Sequence, residues 1–225
     1  LTVASAGALG SSGTARTLAV SGTFTGANAS KNPQFNLEAS TAAIVLPSNL
    51  SLTLATGLTY AQTTTPTLVS SGSANLIQGS ITLGQANGAT GWVRVNSGTL
   101  TLSGNITPTV AGRTLVLDGS ADGEISGAIL NGASLAPALV KLGTGNWVLS
   151  GANTYSGVTT ISAGTLQIGN GGTLGAIGLG AVVNNSSLVF NRSDAYGAPV
   201  GSAISGTGSL TLVSGRLTLS GANSY

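Results

Sequence analysis

Residues 140–168 read VKLGTGNWVLSGANTYSGVTTISAGTLQI, and this stretch decides the fold class. Apolar residues alternate with polar ones in short runs that Gly, Asn and Ser interrupt. Such a pattern is typical of β-strands with one buried face, separated by tight turns. Parts of the phrase occur again in residues 93–104 and 210–221, at offsets of 47 and 70 residues. Both offsets are multiples of about 23 residues, which indicates an internal repeat of that length.

The length of the repeat determines the architecture that it can form. A unit of about 23 residues cannot enclose a core alone, so successive units must stack and pair their strands in parallel. Parallel crossovers within one sheet are nearly always right-handed. We therefore predict an all-β protein, a right-handed parallel β-helix (solenoid) of roughly ten coils of about 22–26 residues. The alternative is an antiparallel β-sandwich or barrel, which has no reason to keep a constant step.

Six strand cores of the form apolar-x-apolar recur at steps of 22–26 residues, and we expect their first residues to form one inward column. These residues are Val93, Leu115, Val140, Leu166, Leu188 and Leu210. Residues 93–225 are predicted to be regular coils that stop in the middle of a repeat, as a piece of a longer protein. Residues 1–92 follow the period less well and contain three prolines, so we expect divergent coils or a loop-rich region there.

The composition excludes several classes of protein. The 225 residues include no His, Cys or Met, with seven cationic and five anionic side chains. Without His and Cys there is no Ser/His/Asp or Cys/His nucleophile, no ordinary zinc or copper site and no disulfide. The net charge of +2 is spread along the chain, which argues against nucleic-acid binding. We expect no cofactor.

The stretch quoted above resembles the passenger-associated transport repeat, also called the autotransporter-associated β-strand repeat, of autotransporter-type passenger domains. A partial second copy runs from Ile204 to Tyr225, with Val213 and Ser214 where the first copy has Gly and a following residue. The residues that carry the resemblance are Gly145, Trp147, Leu149, Ser150, Gly151, Asn153, Tyr155, Gly157, Gly164 and Leu166.

The resemblance implies an extracellular or cell-surface rod, exported through a Gram-negative-type outer membrane by a barrel that lies outside this segment. Its implied partners are a host or matrix surface, with glycans among them, or the chain itself, end to end or laterally. As side chains, Trp147 and Tyr155 are expected to pack at coil corners. Asn153 is expected to be a turn or ladder residue, and the motif's glycines to form tight corners with unusual φ.

One acidic stretch has the beginning of a calcium-loop pattern. Asp118, Ser120, Asp122 and Glu124 supply oxygen atoms in the spacing of such a loop, with a Gly at its sixth position. The twelfth position is Ile129 instead of the usual bidentate Glu. A solvated turn is therefore the alternative to a weak calcium site.

Three functions are compatible with these features. The first is a non-catalytic display rod that acts as an adhesive or structural scaffold. The second is a self-assembling filament subunit, because open coil ends present unpaired strand edges. The third is a carbohydrate-active β-helix enzyme, for which Asp118, Asp122 and Arg113 are the candidate residues.

Overall fold

The computed structural model describes residues 2–3, 16–20, 35–39, 44–55, 66–84, 90–133, 136–196 and 202–224. Tyr225, which ends the second copy of the repeat, lies outside these ranges. In chain order the strands are β1 (Thr2–Val3), β2 (Arg16–Val20), β3 (Phe35–Ala39), β4 (Val45–Leu46), β5 (Leu50–Ala55), β6 (Leu68–Gly72), β7 (Asn75–Ile77), β8 (Ile81–Gly84), β9 (Thr90–Val95), β10 (Thr99–Leu102), β11 (Ile106–Pro108), β12 (Thr114–Gly119), β13 (Asp122–Ile125), β14 (Ala138–Lys141), β15 (Asn146–Leu149), β16 (Thr159–Ile161), β17 (Thr165–Ile168), β18 (Val182–Asn184), β19 (Ser187–Ala195), β20 (Ile204–Ser205) and β21 (Ser209–Arg216). The described ranges contain no helix of the length and apolarity needed to cross a bilayer.

These strands form three sheets in which paired neighbours run parallel. The nine-stranded sheet has the order β1-β3-β6-β9-β12-β14-β16-β18-β20, the eight-stranded sheet β4-β7-β10-β13-β15-β17-β19-β21, and the four-stranded sheet β2-β5-β8-β11. Successive strands such as β9, β10 and β11 lie on three different sheets, so one coil visits each face in turn. The predicted parallel β-helix is confirmed and the antiparallel sandwich is wrong, whereas the right-handed winding stays a prediction.

The hydrophobic core lies inside the coils, where every second residue of a strand points. In β15 the buried residues are Trp147 and Leu149, and in β17 they are Leu166 and Ile168. The register places Trp147 opposite Leu166 and Leu149 opposite Ile168. Each buried side chain therefore packs on its equivalents about 4.8 Å above and below.

The single inward column expected from the sequence is wrong, because its members lie on two sheets. Val93, Leu115 and Val140 belong to the nine-stranded sheet, and Leu166, Leu188 and Leu210 to the eight-stranded sheet. Val140 also points outward, since the inward residues of β14 are Leu139 and Lys141. In β14 the lysine points inward and the neighbouring valine outward, which is the opposite of what the hydrophobicity of the two residues predicts. In a strand, an error of one residue assigns the side chain to the opposite face.

Two long inward columns take the place of the expected one. The column of the nine-stranded sheet contains Phe35, Leu68, Val93, Leu117, Lys141, Ile161 and Asn184. The column of the eight-stranded sheet contains Asn75, Leu100, Gly123, Trp147, Leu166, Leu188 and Leu210. Each column thus mixes large apolar residues with polar or small ones that need a specific local partner.

The coils are fewer and less uniform than predicted. Among the described residues the sheets have nine, eight and four strands, against roughly ten coils expected. Asn36 pairs with Val69, 33 residues on, whereas Leu139 pairs with Thr159, 20 residues on. The step between paired residues thus varies by 13 positions, and a repeat ladder accommodates insertions of that size. Strands β3 to β8 already belong to the same three sheets, and the division of the chain at residue 92 stays a prediction.

Gly123→Ala is expected to lower the free energy of unfolding by about 1–3 kcal/mol through overpacking. Gly123 lies opposite Trp147, and a Cβ on it would come within 2.6 Å of the fully buried indole ring. Gly172→Ala is the matched control, because a Cβ there meets no atom within 4 Å. Urea unfolding should therefore show a lower midpoint for Gly123→Ala only. Equal midpoints for the two variants would contradict this packing.

Candidate functional site

Lys141, the lysine of the repeat motif, is fully buried at an inward position. Its ammonium nitrogen donates hydrogen bonds to three backbone carbonyl oxygens, those of Leu142 at 2.5 Å, Gly143 at 2.8 Å and Ala163 at 3.1 Å. Its three donors thus meet three acceptors, so the charge is compensated by dipoles although it faces the core. Because Ala163 lies one coil further on, the ammonium also joins the turns of two successive coils.

Burial perturbs the titration of this ammonium group. It lowers the pKa of Lys141 from 10.5 to about 8, against the opposing effect of the negative charges of Asp118 and Asp122. The protonated form is therefore less favourable in the folded chain than in the unfolded one.

The free energy of unfolding is expected to rise between about pH 8 and pH 10, by up to about 1.4 kcal/mol per pH unit. With the pKa of Lys141 at about 8 when folded and 10.5 when unfolded, the unfolded chain binds more protons in this window, so raising the pH favours folding. Lys141→Met removes the titrating group and should flatten this dependence, whereas Arg216→Met at an exposed site should leave it unchanged. Urea unfolding across this pH range measures the slopes. The same slope in wild type and Lys141→Met would refute the assignment.

The aromatic side chains of the motif are wholly buried as well. Trp147 fills the space left by Gly123, and its indole N–H donates to the Asp118 carbonyl oxygen at 3.4 Å. The Tyr155 hydroxyl lies 2.8 Å from the Thr159 hydroxyl, and burial raises the pKa of Tyr155. At these two positions the motif therefore supplies packing, and neither ring is accessible to a ligand. The expected place at a coil corner is wrong for Trp147, which lies within strand β15.

The asparagine of the motif connects neighbouring coils through both ends of its amide. The Asn153 Oδ1 atom accepts a hydrogen bond of 2.7 Å from the Ile129 N–H in the preceding coil. Its Nδ2 atom donates to the Ala176 carbonyl oxygen in the following coil, also at 2.7 Å. In the second copy, Asn223 Oδ1 accepts from the Ile204 N–H at 2.9 Å. The two copies thus use their asparagines for the same backbone contact.

The four glycines of the motif serve two different purposes. Only Gly164 has the unusual φ expected at a tight corner, at +64°. A Cβ on Gly145, Gly151 or Gly157 would instead collide with a backbone carbonyl of the preceding coil. The close approach of stacked turns therefore requires glycine at these three positions. Of the remaining motif residues, Leu149 and Leu166 are fully buried in the core.

The structure distributes the acidic residues of the predicted calcium loop over β12 and β13. Asp118, near the end of β12, forms a 2.7 Å ion pair with Arg94 and accepts a 3.1 Å hydrogen bond from the Trp92 indole N–H. Burial acts to raise the pKa of Asp118, but hydrogen bonds from Arg94, the Gly119 backbone and Trp92 outweigh it and hold that pKa below its ordinary value. Asp118 is therefore an ionised partner of Arg94.

The other oxygen ligands of the predicted loop have partners of their own. Asp122 Oδ1 accepts the Asn146 N–H at 2.8 Å, and the Ser120 hydroxyl donates to the Asn96 carbonyl oxygen at 3.2 Å. The Glu124 carboxylate accepts the hydroxyl of Ser150, a motif residue, at 2.5 Å. Within the described ranges no three acidic side chains gather where a metal ion could be held. The calcium loop stays untested, and these partners favour its alternative, a turn without a bound ion.

Sequence reasoning missed the cluster of Trp92, Arg94 and Asp118. Arg94 is isolated in the sequence, yet the register places it directly opposite Asp118. Its guanidinium also lies 5.5 Å from the centre of the Trp92 ring, within cation–π distance. The two charged residues are 24 positions apart, which is about one repeat. This spacing is the signal in the sequence that could have revealed the pair.

Millimolar calcium is expected to leave the melting temperature unchanged, because Asp118 and Asp122 already have protein partners. An ion that bound only the folded chain would add about 2.7 kcal/mol of stability at a hundredfold excess over its Kd. Thermal unfolding in calcium and in EDTA measures the effect. A rise in melting temperature that Asp122→Asn abolishes would instead establish the calcium loop.

The comparisons with known proteins match the repeat and its context. The passenger-associated-transport-repeat family matches residues 139–168 and 214–225. A curated relative, the adhesin BmaC autotransporter of Brucella suis biovar 1 (strain 1330), is 42% identical over 98 residues, which are 43% of this chain and 3% of the relative. No solved structure matches the chain. Together with the parallel coils and the motif's contacts between them, these matches confirm the resemblance seen in the sequence: the chain carries passenger-associated-transport repeats and is similar over 98 residues to an autotransporter adhesin.

Proposed function

We propose that this segment is part of a non-catalytic β-helical rod, displayed at the cell surface, that acts as an adhesive or structural scaffold. The observation that carries the proposal is how the coils use their polar groups. Lys141 and Asn153 hold neighbouring coils together, and Asp118 is paired with Arg94 across one coil step. Side chains whose functional groups could act in catalysis are thus engaged in contacts between coils, and these contacts stabilise a long, regular surface.

The name of the relative supports an adhesive role at the cell surface. That protein is called an adhesin and an autotransporter, and the chain spans about 3% of its length. By analogy, the segment is exported across an outer membrane by a barrel elsewhere in the full protein, and its partner is a host or matrix surface. The absence of cysteine agrees with export, because no disulfide can form before the chain has crossed.

The two alternative functions have less support. A glycoside hydrolase of the usual kind needs two carboxyl groups facing one bond, one of them free to act as an acid. Asp118 is held by Arg94, and Asp122 accepts a backbone N–H, so neither is poised for that role. Nothing in the coils that the structure describes, or in the comparisons, favours a filament subunit over a single rod.

Beads coated with the purified chain are expected to adhere to epithelial cell layers or to matrix-coated wells, and soluble chain should compete with them. The matched control is Leu117→Asp, which places an unpaired charge in the inward column and should unfold the neighbouring coils. Adherence should be lost in this variant, because the rod surface exists only when the coils are stacked.

Three outcomes would contradict the proposal. Wild-type beads that adhere no better than albumin-coated beads would remove the adhesive role. Turnover of acidic or neutral polysaccharides that Asp122→Asn abolishes would establish an enzyme. Electron microscopy of the same material should show isolated short rods, and continuous fibres would favour the filament subunit.

A further inference from the structure

Between β17 and β18 the chain leaves the regular coil in a loop of residues 169–175. The ends of this loop meet, since a Cβ on Gly175 would lie 2.5 Å from the Cα atom of Gly169. Both glycines have a positive φ, +109° and +81° respectively, which favours glycine where the chain turns away from the coil and back. A compact surface loop with touching ends is an Ω-loop, and insertions in repeat proteins often form the binding face.

Arg192, one coil further on, fixes this loop. Its guanidinium donates hydrogen bonds to the carbonyl oxygens of Thr173 and Gly175. The same group forms a 2.9 Å ion pair with Asp194 and lies 4.8 Å from the centre of the Tyr196 ring, so its side chain is only 12% exposed. The loop is thus held in one conformation before any ligand arrives, which reduces the entropy lost on binding.

A groove of about 410 Å³ lies between the loop and the corner of two preceding coils. This volume is within the range of small-ligand sites. The side chains that line the groove are Glu124, Ser126, Ser150, Asn170, Thr173 and Leu174. Stretches far apart in the sequence therefore meet at one surface site.

The lining combines hydroxyl, amide and carboxylate groups with one apolar side chain. The Glu124 carboxylate accepts the Ser150 hydroxyl at 2.5 Å, and a carboxylate has further acceptor positions for a ligand. Asn170 can both donate and accept, so vicinal hydroxyl groups of a ligand would find complementary partners. Leu174 is 65% exposed although its loop is clamped, and it offers an apolar contact for the C–H face of a ring.

We propose that this groove binds a neutral saccharide through its hydroxyl groups. The proposal rests on the adhesive function above and names the ligand class for it. Among the side chains that line the groove, Glu124 is the single charged one, so anionic sugars would be repelled. One carboxylate is also too few for glycoside cleavage, which needs a pair, so the groove binds its ligand without turnover.

The test is a printed array of neutral, sialylated and uronate-containing glycans, probed with the purified chain in calcium and in EDTA. Neutral glycans should be retained in both buffers, and the anionic glycans should not. Isothermal titration with the best-retained neutral oligosaccharide then gives the affinity. Leu174→Ala and Glu124→Ala are each expected to weaken it about tenfold, as for the loss of one good contact or a charge-assisted hydrogen bond.

Thr211→Ala is the matched control for these variants. Thr211 occupies the same outward ladder as Glu124 on the eight-stranded sheet, three strands beyond β15, and does not line the groove. The affinity of Thr211→Ala for the oligosaccharide should equal that of the wild type. Arg192→Ala frees the loop without removing a lining group, so it should weaken binding while the core coils keep their unfolding midpoint.

Several results would overturn the groove assignment. These are retention of no neutral glycan, binding that EDTA abolishes, or an equal loss of affinity in Thr211→Ala. The adhesion assay distinguishes a failure of the groove assignment from a failure of the proposed adhesive function. Adherence that survives in Leu174→Ala and Glu124→Ala would leave the adhesive rod standing without this groove. Saccharide binding without any adherence would leave the groove standing without the adhesive role.

Discussion

The parallel backbone ladder between successive coils is the constraint on which the rest of the structure depends. It places each residue about 4.8 Å from its equivalents above and below, so every side chain must be compatible with its own column. A row of like charges would repel at that spacing, and only 5% of the chain is charged. The same closeness brings backbone carbonyls against the next turn, which is why Gly145 and Gly151 cannot carry a side chain.

The exceptions to this rule are polar groups that find a partner one coil away. Arg94 lies opposite Asp118, and Lys141 reaches the Ala163 carbonyl oxygen in the next coil. Asn153 bonds to the backbone on both sides of its own coil. The residues of the repeat motif therefore stabilise the stacking of the coils. Their presence in the sequence indicates the fold, and it does not by itself indicate a ligand.

Surface function can then arise where the chain departs from the ladder. The loop 169–175 leaves the coil, is clamped by Arg192 and presents Leu174 to solvent. The regular coils beneath it provide the floor of the groove, where Glu124 and Ser150 are joined by a short hydrogen bond. An inserted loop on a repetitive scaffold is the usual way in which such folds acquire specific contacts.

The sequence by itself indicated the parallel β-helix, because a constant step of about 23 residues with period-2 alternation favours stacked coils over an antiparallel sandwich, which has no reason to keep that step. It also held the signal for the pair of Arg94 and Asp118, at a separation of one coil. Only the tertiary structure decided which face each strand buries: Lys141 points inward and Val140 outward because backbone carbonyls that converge at the turn satisfy the ammonium group. The groove beneath loop 169–175 was equally hidden, since hydrogen bonds from another coil fix the loop conformation and no local pattern encodes them.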